Sequence, residues 1–264
     1  MPDQDAPIRL VSEQGIAEII LEVPGRRNAL SDAMWAAIPG LVARAVAETE
    51  TRVILLHGGA AGAFAAGADI SEFESIYADE ASAQRAANTV SQALEALETC
   101  PKPVIAAIEG ACVGGGVSLA IACDLRVAAE GARFGVTPAR LGLVYPLADT
   151  RRLVETVGGA AARDILLTGR IFPAEEAFRL RLVDRLVERG GAVSAARSLA
   201  RDIGALSQFA VRGMKQSILK VEAGQRDEDA ASRAEFVDGA LGEDFREGYR
   251  AFLEKRPPRF RWRG

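Results

Sequence analysis

Short apolar runs broken by turn residues fill the first three quarters of the chain, with stretches of helical spacing between them. Residues 8–12 and 16–23 read as two strands folded about Gln14-Gly15, a hairpin. Past the Pro24-Gly25 turn, Ser31 stands where a serine caps a helix, and the helical pattern then runs to about residue 48. The run 53–57 is a candidate buried strand, 82–99 has helical spacing, and the β-branched run 103–108 suits a second buried strand. Residues 117–123 are apolar on every side, as in a buried helix, while 124–128 and the VDRLV run at 183–187 read as further strands. From Val193 onward only helical patterns occur.

Alternation of strand and helix predicts an α/β fold with crossover connections. The change at Val193 divides the chain into an α/β core, residues 1–192, and a helical C-terminal part, residues 193–264. The pattern alone also fits a doubly wound sheet. There is no low-complexity linker and no repeat at the level of residue identity.

Two places along this alternation are rich in small residues. Gly58, Gly59, Gly62 and Gly67 follow the 53–57 run and precede the polar SEFES segment, and Gly114, Gly115 and Gly116 follow the 103–108 run. A strand that breaks into glycine before a helix exposes backbone N–H groups, which can hold a ligand oxygen. Two such loops can together make an oxyanion hole. A tightly packed turn is the alternative reading of either loop taken alone.

Composition narrows the class without choosing within it. The 264 residues suffice for one large core, nearly half are apolar, and the charge is mixed with a net −4, so the chain is globular and no general nucleic-acid binder. The one basic cluster is the tail, Lys255, Arg256, Arg259, Arg261 and Arg263, which is either a solvated terminus or a phosphate contact. No apolar run reaches the length of a membrane span, and the N-terminal residues lack a signal-peptide core. Cys100, Cys112 and Cys123 have no metal-ligand spacing and lie in or beside apolar runs, as free thiols of a reducing compartment do. A soluble cytoplasmic protein is expected.

Several phrases taken together identify a family. AFAAGADI at 63–70, EGACVGGG followed by LA and CDLRVA at 109–128, FGVTPARLGLVYP at 134–146, LTGR at 167–170, RLVDRLV at 181–187 and AFLEKRPPRF at 251–260 resemble the crotonase (enoyl-CoA hydratase/isomerase) superfamily. The similarity runs in order from about Pro24 to Phe260. It implies a spiral of ββα units assembled as trimers or pairs of trimers, the C-terminal helices making the assembly. It also implies an acyl-CoA thioester as substrate, with coenzyme A entering as part of it and no further cofactor. The family's two oxyanion donors fall on the N–H groups of Ala68 and Gly115. The resemblance further assigns Ala66, Asp69 and Ile70 to the coenzyme A side of the first loop. Phe252 and Lys255 correspond to the segment that closes the nucleotide end, commonly across subunits.

The chain departs from the family where the chemistry is done. Hydratases of the family carry glutamates at the positions of Ser118 and Pro138; a serine hydroxyl is a weak base without an activator, and proline has no ionisable group. Other polar residues stand close by in sequence. Tyr145 occupies a place similar to a pocket tyrosine of methylmalonyl-CoA decarboxylases, and is otherwise a tyrosine at the core edge. Asp149 sits where it caps the next helix, or serves as an acid or base. Arg140 is placed for a surface salt bridge or for a substrate carboxylate, and Asp69 for the helix start after the first loop.

The lone histidine, His57, ends a strand and suits a structural role. Although Gly116-Val-Ser-Leu-Ala120 looks like a nucleophile elbow, no histidine follows Ser118 to complete a hydrolase triad. A histidine-based metal site is equally hard to assemble, and no Walker or dinucleotide glycine motif follows a strand. The resemblance therefore implies enoyl-CoA hydration as the nominal activity, with catalytic candidates Ala68, Gly115, Ser118, Tyr145 and Asp149. A malonyl-type decarboxylase using Tyr145 is one alternative, although Ala68 departs from the histidine often found there. A non-catalytic acyl-CoA-binding subunit is another. Replacing Gly115 by valine is expected to abolish turnover and leave the fold intact.

Overall fold

The computed structural model describes residues 6–263. In chain order its elements begin β1 (Ile8–Glu13), β2 (Ile16–Leu21), α1 (Asp32–Ala47), β3 (Val53–His57), α2 (Phe73–Ile76) and α3 (Glu80–Glu98). They continue with β4 (Val104–Ile108), β5 (Ala111–Val113), α4 (Gly115–Ile121), β6 (Leu125–Ala129), β7 (Arg133–Gly135) and α5 (Leu147–Thr168). Then follow β8 (Phe172–Pro173), α6 (Ala174–Arg179), β9 (Arg185–Val187), α7 (Ala192–Gly204), α8 (Gln208–Glu222), α9 (Ala230–Leu241) and α10 (Glu243–Leu253).

A six-stranded sheet runs in the order β1-β2-β3-β4-β6-β9, and a three-stranded one in the order β5-β7-β8. The β1/β2 hairpin is antiparallel with Ile8 opposite Leu21, whereas every later pairing in the large sheet is parallel. β3 and β4 are buried along their whole length because both faces are covered, as parallel strands require. Side chains alternate between the two faces. Ile54, Leu56, Val104, Ala106 and Ile108 join the main core with Trp35, while Val53, Leu55, Ile105 and Ala107 meet Ala192, Ala196, Leu199 and Ala200 of α7.

The small sheet was not legible in advance, because β5, β7 and β8 have only two or three residues each. Its place explains the spiral. β4 and β6 each belong to the large sheet, their successors β5 and β7 belong to the small one, and a helix follows each pair. The segment after β3 repeats the pattern in reduced form, with Ala65 bridging to Cys112 of β5 before α2 and α3. These are successive ββα turns, as the resemblance implies, rather than a doubly wound sheet.

Helix starts also differ from the sequence reading. Ser31 Oγ accepts from the Met34 N–H as expected, but α3 begins at Glu80 under an Asp79 cap, and α4 begins at Gly115 rather than Val117. Asp149 is not a cap: α5 starts earlier, after Pro146, and leaves Asp149 inside its first turn and buried. The helical segment begins at Ala192, yet α7 packs on the sheet, so the part that extends beyond the core starts after it. No described helix is long and apolar enough to cross a membrane.

Candidate active site

The first glycine-rich loop is held by a residue outside it. Asn28, fully buried and in the left-handed region at φ 55°, donates from Nδ2 to Gly58 O at 2.9 Å, Ala63 O at 2.9 Å and Phe64 O at 3.2 Å. Its Oδ1 accepts from the Val23 N–H at 2.7 Å. Nothing in the sequence pattern pointed to Asn28, whose three carbonyl partners lie 30, 35 and 36 residues away.

Downstream, the Leu30 N–H donates to Gly67 O at 2.8 Å and the Asp69 N–H to Leu30 O at 2.9 Å. In a parallel bridge of this kind the residue between the two bonds turns its own N–H the other way. That residue is Ala68, which is exposed and whose N–H has no backbone acceptor among the described residues. Asp69 starts the following helical turn as expected: its carboxylate accepts from the Ser71 N–H at 3.1 Å and hydroxyl at 2.6 Å and pairs with Arg26. These partners, Ser71 foremost, outweigh partial burial and hold its pKa below the usual carboxylate range. Ala66 is half-buried and Ile70 is 61% exposed, on either side of Ala68.

The second loop is joined to the first. Ala65 N–H donates to Ala111 O at 2.9 Å and Val113 N–H to Ala65 O at 3.0 Å. Gly114, at φ 54° and ψ −116°, makes the turn into α4 in a conformation that favours glycine, and Gly115 opens the helix with a free N–H. The loops touch: a Cβ at Gly67 would lie 3.3 Å from Val113 O, and one at Gly114 would lie 3.8 Å from the Gly67 Cα. Ala68 and Gly115 follow this contact directly in their two strands of chain. One expectation fails here. A Cβ at Gly115 would lie 2.9 Å from the buried Trp35 ring, so a valine there disturbs the core and cannot test the N–H alone.

Ser118, three residues into α4 from Gly115, lies on the same helix face. Its Oγ is 2.8 Å from Tyr145 Oη and 2.9 Å from Asp149 Oδ2. Asp149 Oδ1 accepts from Arg152 at 2.9 Å, and Arg152 donates again to Glu98 of α3 at 2.6 Å, where Arg151 also binds at 2.6 Å. Three sequence-predicted residues thus meet in one cluster, and two others, Arg152 and Glu98, complete it. Arg152 reads in the sequence as an ordinary surface residue of a helix, and only its i, i+3 spacing from Asp149 hinted at the pair.

Burial decides the electrostatics of this cluster. It pushes the Asp149 pKa above the usual range despite hydrogen bonds from Ser118 and Arg152. Burial likewise raises the Tyr145 phenol, and the Asp149 charge adds to it. At Glu98 burial opposes the charge, but Arg152 and Arg151 outweigh it and hold the pKa down.

The remaining candidates lie elsewhere. Pro138 opens a turn of 3-10 helix, Pro138–Leu141, and brings no acid. Arg140 is exposed beside Gly169 and makes no ion pair among the described residues, contrary to the salt bridge expected. His57 is structural: its Nδ1 accepts from the Gly59 N–H at 3.1 Å, leaving Nε2 to donate to Glu18 at 3.0 Å. All three cysteines are free and buried, and burial raises their thiol pKa values. Phe252 is 83% exposed at the end of α10, and Lys255 makes no side-chain hydrogen bond or ion pair among the described residues. Arg256, in contrast, is paired with Glu247 and Glu254.

Comparison with known proteins places the chain in a family. A protein of the enoyl-CoA hydratase/isomerase family from Hyphomonas neptunium has a crystal structure that covers 98% of each chain at 60% identity, with a TM-score of 0.96. The crystal structure of an enoyl-CoA hydratase/carnithine racemase from Magnetospirillum magneticum is 36% identical, covers 98% of this chain and 97% of its own, and gives a TM-score of 0.93. The mitochondrial enoyl-CoA hydratase domain-containing protein 2 of Homo sapiens is 34% identical over 257 residues, 94% of this chain and 86% of that protein. The sequence profile described as enoyl-CoA hydratase/isomerase matches residues 11–263, and the chain belongs to that family.

Proposed function

We propose that this protein acts on an acyl-CoA thioester through an enolate held by the N–H groups of Ala68 and Gly115, with hydration of a 2-enoyl-CoA as the nominal reaction. The observation that carries this reading is the pair of unspent backbone donors on two loops in van der Waals contact. Such donors favour charge that develops on the thioester oxygen, and one of them is worth roughly 3 kcal/mol in analogous acyl-transfer sites. Coenzyme A enters as part of the substrate, along Ala66, Asp69 and Ile70, and the chemistry calls for no other cofactor.

The same reading has the helices after α7 carry assembly into trimers or pairs of trimers. It is supported by Val221, Phe236 and Leu253, which are 67%, 76% and 74% exposed, and by a groove of about 1080 Å³ among α8, α9 and α10. Phe252 and Lys255 then close the nucleotide end of a neighbouring subunit's site. The protein works in the cytoplasm.

Incubation of the purified protein with crotonyl-CoA in ¹⁸O-labelled water, followed by mass spectrometry, tests the reaction. Gain of one labelled water supports hydration. Tight binding of acyl-CoA with no turnover across a panel of thioesters would replace the enzyme by a binding subunit. Loss of CO₂ from a malonyl-type thioester would replace hydration by decarboxylation.

A further inference from the structure

We propose that Tyr145, Ser118 and Asp149 form a reversible proton relay, with Tyr145 facing the substrate and Asp149 storing the proton. The inference rests on the acyl-CoA reading for its substrate but on the cluster itself for its geometry.

Count the protons. Ser118 has one hydroxyl hydrogen between two oxygen partners at 2.8 and 2.9 Å, and Tyr145 has one phenolic hydrogen. When Asp149 is ionised, Ser118 donates to Asp149 Oδ2, Tyr145 donates to Ser118, and the phenol oxygen can only accept from the pocket. When Asp149 is protonated it donates to Ser118, Ser118 donates to Tyr145, and the phenol donates to the pocket. The heavy atoms keep their places while the polarity reverses. Gly115 and Ser118 share a face of α4, which sets the relay beside one of the oxyanion donors.

A water oxygen uses a lone pair to bond Cβ, the Cα=Cβ pair becomes the bond between Cα and the thioester carbon, and the carbonyl pair moves to the thioester oxygen. One water proton passes to Tyr145 Oη as the phenolic proton passes to Ser118 Oγ and the seryl proton to Asp149 Oδ2. In reverse the relay returns a proton to Cα, where the enolate electron pair forms the C–H bond. The work of an absent glutamate is thus divided among three residues. Tyr145 touches the reacting atoms, and Ser118 and Asp149 act through it.

The surroundings suit a group that must take up and release a proton. Asp149 faces Arg152 on its own helix, Ser118 on α4, and Glu98 on α3 beyond Arg152, while Arg151 and Glu155 form the outer pairs. Arg152 divides its charge between two carboxylates, so burial retains the upper hand at Asp149. The Cys112 thiol near Tyr145 is buried and neutral.

Two measurements on the full chain and its S118A, D149N and Y145F variants test the relay. In the first, tyrosine ultraviolet absorbance is followed against pH without ligand. The wild type is expected to show a tyrosine transition that tracks Asp149 ionisation and is lost in all three variants. In the second, butyryl-CoA is incubated in deuterium oxide and deuterium at Cα is counted by mass spectrometry. Each variant is expected to exchange about 100-fold or more slowly with acyl-CoA binding unchanged. A tyrosine transition that persists in S118A, or none that depends on Asp149, overturns the relay. So does wild-type exchange with an unchanged pH profile in S118A, which would leave the acyl-CoA reading standing. A variant-sensitive transition without exchange on any acyl-CoA would retain the relay and remove that reading.

Discussion

Ser118 Oγ and Asp149 Oδ2 stand 2.9 Å apart although thirty-one positions separate them along the chain. Ser118 belongs to α4 and Asp149 to the first turn of α5, so the polar group of the site depends on how two helices pack. A carboxylate carried by α4 alone needs no such agreement. The contact is buried on both sides, and its geometry is fixed by Arg152, which binds the other Asp149 oxygen.

Arg152 is therefore expected to govern stability as well as chemistry. Replacing it by methionine keeps most of its volume but leaves the Asp149 and Glu98 carboxylates without their shared cation. Breaking a buried pair in this way costs about 3–5 kcal/mol. Urea denaturation of Arg152→Met should show a fall of that order, and a loss below about 1 kcal/mol would mean that water or Arg151 replaces the lost charge.

A second prediction concerns the clamp on the first loop. Asn28→Ala removes the Nδ2 donor from three carbonyl oxygens and the acceptor from the Val23 N–H. Each buried group left unpaired costs about 1–3 kcal/mol, so a total loss of at least about 3 kcal/mol is expected by chemical denaturation. Turnover should fall further than stability explains, because the clamped loop carries Ala68. Full activity in the folded fraction would separate the clamp from the site.

How far the sequence foretold all this varied by element. The central strands of the large sheet, β2, β3, β4 and β6, were legible because both faces are buried and their apolar runs have no other home. The small sheet was not, since strands of two or three residues carry no period. Resemblance located Ala68, Gly115, Ser118 and Tyr145, and the structure gathers Ser118, Tyr145 and Asp149 at hydrogen-bond distance. Asn28, Arg152 and Glu98 went unseen because a polar residue in a loop or helix looks the same buried or exposed until its distant partner is known. The misplaced α5 start has a local cause: the helix begins at Leu147, directly after an extended Pro146 that supplies no side-chain cap, so no capping residue marks its start in the sequence.

Acid stability gives a third test, through Glu18. Burial opposes its charge, but hydrogen bonds from Arg197 and His57 prevail and hold its pKa at about 2, below the ordinary 4.5. A folded-state pKa below the unfolded one contributes stability that is fully present above about 4.5 and is lost as pH falls through about 2. Glu18→Gln should lower stability at neutral pH by roughly 1–2 kcal/mol after allowance for solvent screening, and should flatten the decline between those two values. Thermal melts of both proteins across that range check it; parallel curves would show that Glu18 is not the group responsible.

The oxyanion hole is best tested at Ala68, since Gly115 is closed to any side chain by Trp35. Ala68→Pro deletes one N–H that has no backbone acceptor in the free protein, so no backbone hydrogen bond is sacrificed. The glycine before it removes the usual clash between a proline ring and a preceding Cβ. Melting temperature should therefore change little, while kcat falls by about 10²–10³, the cost of one oxyanion donor in analogous acyl-transfer sites. KM should move far less, because the lost bond strengthens only as charge develops on the thioester oxygen. A fall in kcat/KM carried by KM alone would assign the Ala68 N–H to ground-state binding, and an unchanged kcat would move the hole to another pair of donors.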